Sequence, residues 1–375
     1  MTHPIYSAHA RAEASSSAAD QLVAQLQGAD PAAVVFFYSM NQDGEQIGQQ
    51  LEQAFPEAVV IGSSSAGEFT GEQTSTDGAV AIALDRRIVE DATGAYFDYD
   101  GDVVEAAQHT AEALGDRLGV ALRQADPSKY LGIVLNDGLS GREEMVNRGL
   151  GNAAPTLNFV GGSAGDALDF ERTEVYFDGA VHDTGTVLML LSMTAPFEVL
   201  KTCSFEPVGQ RFSITRADED DRIVWEFDGR PATEAYADAI GADAEELDAG
   251  DFMASPVGLM IDDEPWIRSP AQVVDGGGIQ FFCSISEGMT VDLMRSTGLV
   301  QETRKDVQQI IDSLDKPAGM LAFNCILRRL EIDEHDSHDD FLQAFPVPVT
   351  GFHTYGESWL GHINQTLTAV VFGDA

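Results

Sequence analysis

The chain has 375 residues, 44% of them hydrophobic; at roughly 100–200 residues per domain this predicts two domains with sizeable cores and excludes wholesale disorder. Its 62 acidic residues against 21 basic ones give a formal net charge of -41 at pH 7. That excludes a nucleic-acid binder, which needs Lys and Arg to displace phosphate counterions, and disfavours an anionic membrane surface on the same ground.

In chain order, Ala32 to Ser39 is an apolar run that reads as a buried strand. Ile47, Leu51 and Phe55 follow at helical spacing, and Pro56 ends the segment. A second apolar run, Ala58 to Ile61, leads into Gly62-Ser63-Ser64-Ser65-Ala66-Gly67-Glu68, and Ala79 to Leu84 reads as the next strand. The pattern recurs. Tyr130 to Leu135 ends in Asn136-Asp137-Gly138, a helical segment carries Met145, Val146 and Leu150, and Leu157 to Val160 leads into Gly161-Gly162-Ser163-Ala164-Gly165-Asp166 before the strand Val187 to Leu191.

The middle of the chain reads differently. Arg211 to Thr215 and Ile223 to Phe227 flank the acidic turn Asp218 to Asp221 as a hairpin, and Pro231 to Ile240 reads as a helix. Val257 to Ile261, Gln280 to Ile285 and Val291 to Met294 alternate with Gly-rich turns, and Thr303 to Leu314 is helical. A third copy of the pattern closes the chain: Gly319 to Phe323 ends in Asn324-Cys325, Val347 to Thr350 leads into Gly351-Phe352-His353-Thr354-Tyr355-Gly356-Glu357, and Leu367 to Phe372 is the last strand. Three strand–helix–strand–loop–strand units predict an α/β fold of mixed sheets with outer helices in two domains, 1–228 and 229–375. Strand ends in such folds are where ligand loops collect.

The acids are spread along the whole chain and Lys occurs only at Lys129, Lys201, Lys305 and Lys316. This predicts a solvated acidic surface in a salt-rich, halophilic cytoplasm, where the Debye length shrinks to about 3 Å at 1 M and self-repulsion is tolerable. Cys203, Cys283 and Cys325 are odd in number, widely spaced and without a Cys-x-x-Cys, which points to a reducing compartment rather than disulfides or zinc. Met1 to Arg11 lacks a charged start followed by an apolar stretch, and no apolar run approaches the roughly 20 residues that span a bilayer, so neither a signal peptide nor membrane insertion is expected.

The glycines of the loops permit positive φ, and the small hydroxylated residues between them offer donors and acceptors without filling space. Such loops can hold a small polar ligand on backbone N–H groups, or simply connect strands tightly. Gly161-x-Ser163-x-Gly165 also matches a nucleophile elbow, but Ala167 to Thr173 lacks the helix an elbow requires, and nothing in the sequence brings His353 or His362 to the serine. No Lys follows the glycines as a phosphate loop demands. Glu334-His335-Asp336-Ser337-His338-Asp339-Asp340 has metal-binding residue types, but in so acidic a chain it reads as a solvated loop, and neither metal nor cofactor is expected. Arg268 and Arg328 stand out against the acidic background; each is either a bidentate clamp for a ligand carboxylate or half of an internal ion pair.

Together these motifs resemble the FIST family (F-box and intracellular signal transduction proteins). The first half resembles the FIST N domain through Phe36-Phe37, Val60 to Glu68 and Gly161 to Asp166. The second resembles the FIST C domain through Phe323-Asn324-Cys325 with Arg328, Gly351 to Glu357, and the Asp275-Gly276-Gly277-Gly278 and Glu287-Gly288 turns. The resemblance implies a non-catalytic cytoplasmic sensor that binds a small ligand, amino acids being candidates. No catalytic residues carry over from the family. No signalling or F-box module is joined to these domains here, so a separate signalling partner is implied. The expected ligand-binding residues are Gly62, Ser63, Ser64, Ser65, Gly67, Asn136, Asp137, Gly162, Ser163, Ala164, Arg268, Asn324, Arg328, Phe352, Tyr355 and Glu357. The alternatives are a serine hydrolase using Ser163 and a pure protein-interaction module.

Overall fold

The computed structural model describes residues 4–11 and 15–374; Met1 to His3, part of the stretch read for a signal peptide, lie outside the described residues. The chain divides into two compact units, both discontinuous in sequence: Met1–Thr202, Thr303–His362 and Leu367–Ala375 form one, and Cys203–Glu302 with Ile363–Thr366 form the other.

The first unit consists of three copies of one repeat. In each copy two parallel strands end on the loops singled out above: Pro31–Tyr38 with Val59–Ser64, Tyr130–Asn136 with Asn158–Ser163, and Pro317–Cys325 with Val349–Thr354. An antiparallel strand completes each copy, at Ala79–Asp85, Thr186–Met193 and Thr366–Gly373. The registers match: Tyr38 pairs with Ser64, Asn136 with Ser163, and Asn324 with His353. Strand runs such as Ala79–Asp85 are buried at every position, which explains why they read as continuous apolar stretches rather than alternating ones.

The copies are interlocked by exchange of short strands. Glu68–Thr70 of the first copy pairs with Val349–Thr354 of the third. Val175–Phe177 of the second pairs with Val59–Ser64 of the first, and Glu357–Trp359 of the third pairs with Asn158–Ser163 of the second. The result is three six-stranded mixed sheets, each holding a strand from another copy.

Period-2 alternation sorts the strand residues between two faces. Phe37, Ile61, Ile133, Leu135, Val160, Phe323 and Phe352 enter a common core shared by all three sheets. There Phe37 stacks on Phe352 at 4.2 Å between ring centroids, and Phe323 meets both edge-on. The opposite faces pack on helices: Val34 and Phe36 against Ile47 and Leu51 of Gly44–Ala54, and Val134, Phe159 and Leu188 against Val103–Arg117 and Glu143–Ala153. Asp43 and Asp102 cap two of these helices by accepting the Gln46 and Glu105 amides, satisfying first-turn N–H groups.

The second unit is built on antiparallel pairs. The expected hairpin is present, with Ile214 opposite Phe227 and Asp218 opposite Ile223. The strand Glu264–Arg268 runs through Ser269 into Pro270–Val274. Phe212, Ile214, Val224, Phe227, Tyr236 and Phe252 form its core. Tyr236 lies on the buried face of Ala232–Ile240 and donates its hydroxyl to the Ser255 carbonyl at 2.7 Å.

Candidate functional site

At the ends of the three parallel pairs the chain turns sharply, and the turns are bonded to one another. The Ala66 amide donates to the His353 carbonyl (3.0 Å), the Tyr355 amide to the Ser163 carbonyl (3.1 Å), and the Gly165 amide to the Ser64 carbonyl (3.3 Å). Each turn thus donates to one neighbour and accepts from the other, closing a ring. Glycine is required at 165 because a Cβ there would meet Ala66 N at 2.7 Å and Ala66 Cβ at 2.8 Å.

The ring consumes the backbone donors on which a ligand cradle would depend. The Ser64, Ser65, Ser163 and Ala164 amides donate to the carbonyls of Glu174, Tyr38, Gly356 and Asn136 at 2.8–2.9 Å. The expectation that the loops hold a small polar ligand on backbone N–H groups is therefore corrected for these four amides: they are spent on inter-strand and inter-turn bonds. What remains is side chains. Ser63, Ser64, Ser65, Asn136, Ser163, Asn324 and Glu357 are all buried to 1% exposure or less. Among the described residues, the buried polar atoms without a hydrogen-bond partner include Ser63 Oγ, Glu68 Oε2, Asn136 Nδ2 and Ser163 Oγ.

Glu68 was not among the expected residues, although Gly-Glu ends both the first and the third turn. It is completely buried, and its Oε1 accepts the hydroxyls of Ser39 (2.8 Å) and Ser65. Burial pushes its pKa up to about 7, only partly offset by those two hydroxyls. Glu357 repeats the arrangement, with Thr354 Oγ1 donating to Oε1 at 2.8 Å. In both, the hydroxyl also accepts an amide two residues on, from Gly67 and Gly356 at 3.1 Å.

The second turn departs from that pattern. Asp166 accepts the amides of Phe170 (3.0 Å), Glu171 (2.7 Å) and Arg172 (3.0 Å), together with the Tyr355 hydroxyl. Burial opposes its ionisation, but the Tyr355 hydroxyl and the three amides outweigh that and hold its pKa below the usual carboxylate range. The loop it organises is strained, with φ of +60° at Ala167, +77° at Leu168 and +53° at Phe170. Phe170 is 52% exposed and stacks on Tyr355 at 5.0 Å. Tyr355, Ala66, Ile326, Leu168 and Leu327 form an apolar patch.

On the helix side, Asn324 Nδ2 lies 2.9 Å from His353 Nδ1, and Asn324 Oδ1 accepts Arg328 Nε at 2.8 Å. Arg328 is 1% exposed and reaches Thr303 Oγ1 at 2.6 Å. Burial, reinforced by Arg329, drives the His353 pKa well below its ordinary value, so the ring is neutral. Asn136 Oδ1 accepts Thr186 Oγ1 at 2.8 Å, and Thr186 Oγ1 lies 2.9 Å from the Tyr99 hydroxyl. Asp137 caps its loop, accepting the Leu139 and Ser140 amides.

The first unit therefore gathers the expected residues of the three turns. Phe352 is fully buried against Phe37. Arg268 belongs to the second unit, half-buried, with Nη1 on the Ile267 carbonyl at 3.2 Å and Nε without a partner. Among the described residues, Ser163 Oγ has no imidazole in hydrogen-bond reach, and the strand it ends is followed by the 166–172 loop rather than by a helix. In the acidic run, His338 Nε2 lies 2.9 Å from Asp333 Oδ1. A groove of about 460 Å³ lies at the opposite end of the first repeat's strands, lined by Val59, Thr93, Arg117 and Phe177 among others. Among the described residues, no helix is long and apolar enough to cross a membrane.

Residues 32–230 match the model of the FIST N domain, and residues 232–359 match that of the FIST C domain. No curated protein matches the chain. Two solved structures are similar in outline. A chorismatase is 9% identical, covering 100% of this chain and 99% of that chain, with a TM-score of 0.38. A cyanuric acid hydrolase from A. caulinodans is 11% identical, covering 100% of both chains, also with a TM-score of 0.38. Likenesses so distant carry no argument about activity.

Proposed function

The chain belongs to the FIST family, carrying its N and C domains in tandem, and on that premise we propose that it is a cytoplasmic, salt-adapted, non-catalytic sensor that reports a small ligand to a separate signalling partner. FIST domains are associated with the sensing of small ligands in signal transduction. The ligand site in this reading is the set of strand ends and turns in the first unit: Gly62 to Ser65, Gly67, Asn136, Asp137, Gly162 to Ala164, Asn324, Arg328, Phe352, Tyr355 and Glu357, with Glu68 added. Arg268, in the second unit, stays a separate candidate outside this set. Amino acids are the first ligands to test.

The observation that carries the reading is the group of buried side-chain atoms without partners, Ser63 Oγ, Glu68 Oε2, Asn136 Nδ2 and Ser163 Oγ. A buried polar group left unmatched costs about 1–3 kcal/mol, and a bound molecule that supplies its partner recovers that cost. Ser63, Asn136 and Ser163 lie at the C-terminal ends of parallel strands, where α/β folds collect ligands. The absence of a bonded base at Ser163 favours binding over acyl chemistry, because a serine hydroxyl needs a base in reach to act as a nucleophile.

The test is a thermal-shift screen of amino acids and related metabolites in molar potassium chloride, with Ser163→Leu in parallel. A ligand at 100 times its dissociation constant stabilises the native state by about 2.7 kcal/mol. A dose-dependent shift in the native chain that the variant lacks supports the site. A shift retained in the variant removes Ser163 from it. Covalent labelling of Ser163 by an activated serine probe would restore the hydrolase reading.

A further inference from the structure

The matched registers of the second and third repeats allow two equivalent positions to be compared inside one molecule. Asn136 stands beside Ser163 as Asn324 stands beside His353, each pair closing a parallel strand pair. Asn136 shares the helix-facing side of its strand with Val134, which packs on the flanking helices. Asn324 likewise faces a helix, since Arg328 of Ile326–Glu334 reaches its Oδ1 and is itself held by Thr303. All four residues are buried, none more than 3% exposed.

In the third repeat the asparagine amide is completed by a neutral imidazole, Nδ2 to Nδ1 at 2.9 Å. In the second repeat a serine occupies the position of that ring. Asn136 keeps its Oδ1 bond to Thr186 (2.8 Å), but among the described residues its Nδ2 meets no acceptor and Ser163 Oγ no partner. The side chains that close over this position thus supply no hydrogen-bonding atom to either group. The third repeat shows what the geometry of the pair can hold: a flat five-membered ring with a ring nitrogen turned to the amide.

We propose that the Asn136–Ser163 position binds a neutral planar nitrogen heterocycle of azole size, one ring nitrogen accepting from Asn136 Nδ2 and the other bonded to Ser163 Oγ. This rests on the reading of the strand ends as the ligand site, and it names a chemical class for that ligand. At this position an acidic group of a ligand fits poorly, because Asp137 is buried next to Asn136. A ring carrying both an acceptor nitrogen and an N–H suits an amide donor on one side and a hydroxyl, which can accept, on the other.

Free imidazole at pH 8.5, where it is neutral, is the probe. Melting curves and two-dimensional NMR spectra of the full chain are followed against imidazole concentration in molar potassium chloride, for the native chain, Ser163→His and Asn136→Asp. The expected result is a saturable rise in melting temperature with shifts of the resonances around Asn136 and Ser163. Ser163→His, which installs the ring, should lose the response. Asn136→Asp, which keeps the shape but replaces the donor, should weaken binding at least tenfold even if the histidine variant fails to fold. An absence of saturable binding, as an ordered water between the two groups would give, overturns the proposal. So does a response unchanged in Asn136→Asp. A metabolite that stabilises the native chain but not Ser163→Leu, while imidazole has no effect, would retain the sensor site and sink the azole.

Discussion

Tyr355, in the turn of the third repeat, donates its hydroxyl to Asp166 in the turn of the second and accepts the Leu168 amide at 2.7 Å. One phenol thus holds a loop whose backbone is strained at three of four consecutive positions. Asp166→Asn should release the loop, because an amide offers only one acceptor oxygen to the four donors now held. The expected cost is about 1–3 kcal/mol, with faster hydrogen exchange confined to the Phe170, Glu171 and Arg172 amides. Exchange that rises evenly over the whole unit would mean that Asp166 supports the fold at large rather than this loop.

The same carboxylate sets an acid limit. Its folded pKa is depressed, so its contribution is complete above the unfolded value of about 3.8 and is lost as pH falls through the folded one. Acid titration of the native chain should therefore show a loss of stability below about pH 4 that is smaller in Asp166→Asn. Parallel acid-unfolding curves would contradict this.

Glu68 acts in the opposite direction. Its folded pKa, raised by burial to about 7, makes the native state bind a proton that the unfolded chain has released. Its stabilising contribution is full below about pH 4.5 and is lost as pH rises towards 7. Glu68→Gln should flatten the pH dependence of the melting temperature over that interval. An unchanged slope would mean that other groups set it.

The ring of turns tolerates no side chain at position 165, since a Cβ would sit 2.7 Å from Ala66 N, a backbone atom that cannot swing aside. Gly165→Ala should destabilise the first unit by about 1–3 kcal/mol, the usual range for forced overpacking. Calorimetry decides this, and a neutral substitution would mean that the ring opens without cost.

Phe37 stacks on Phe352 and meets Phe323, joining two repeats at the common core. Phe37→Ala should cost about 3–5 kcal/mol by lost burial and the cavity left behind. Denaturant unfolding would show it as a lower midpoint with little change in slope.

The repeats were legible because their signals are local. Runs such as Ala79–Asp85 are apolar at nearly every position, and the Gly-Ser punctuation after Ile61 and Val160 marks the strand ends without reference to anything distant. The exchanged strands were not legible. Glu68–Thr70, Val175–Phe177 and Glu357–Trp359 are three residues each, too short for a period, and their partners lie in another repeat. The turn amides failed for the same reason: a Gly-rich loop with open donors and one whose donors are spent on a remote carbonyl read alike in sequence. Glu68 was visible as the acid after a glycine. Its importance comes from Ser39 and from complete burial, neither of which the local pattern reveals.

The circular exchange of strands has a consequence for the order in which the chain can acquire structure. As the polypeptide emerges from the ribosome, Glu68–Thr70 waits for Val349–Thr354, which lies far later in the chain, and Asn158–Ser163 waits for Glu357–Trp359. Until then two sheets present unpaired edges, the surfaces most prone to wrong association. Closure on contacts so distant in sequence is slow. Release of the C-terminal segment is thus the event that lets the first unit close, and a nascent chain stalled before it would depend on a chaperone to cover those edges.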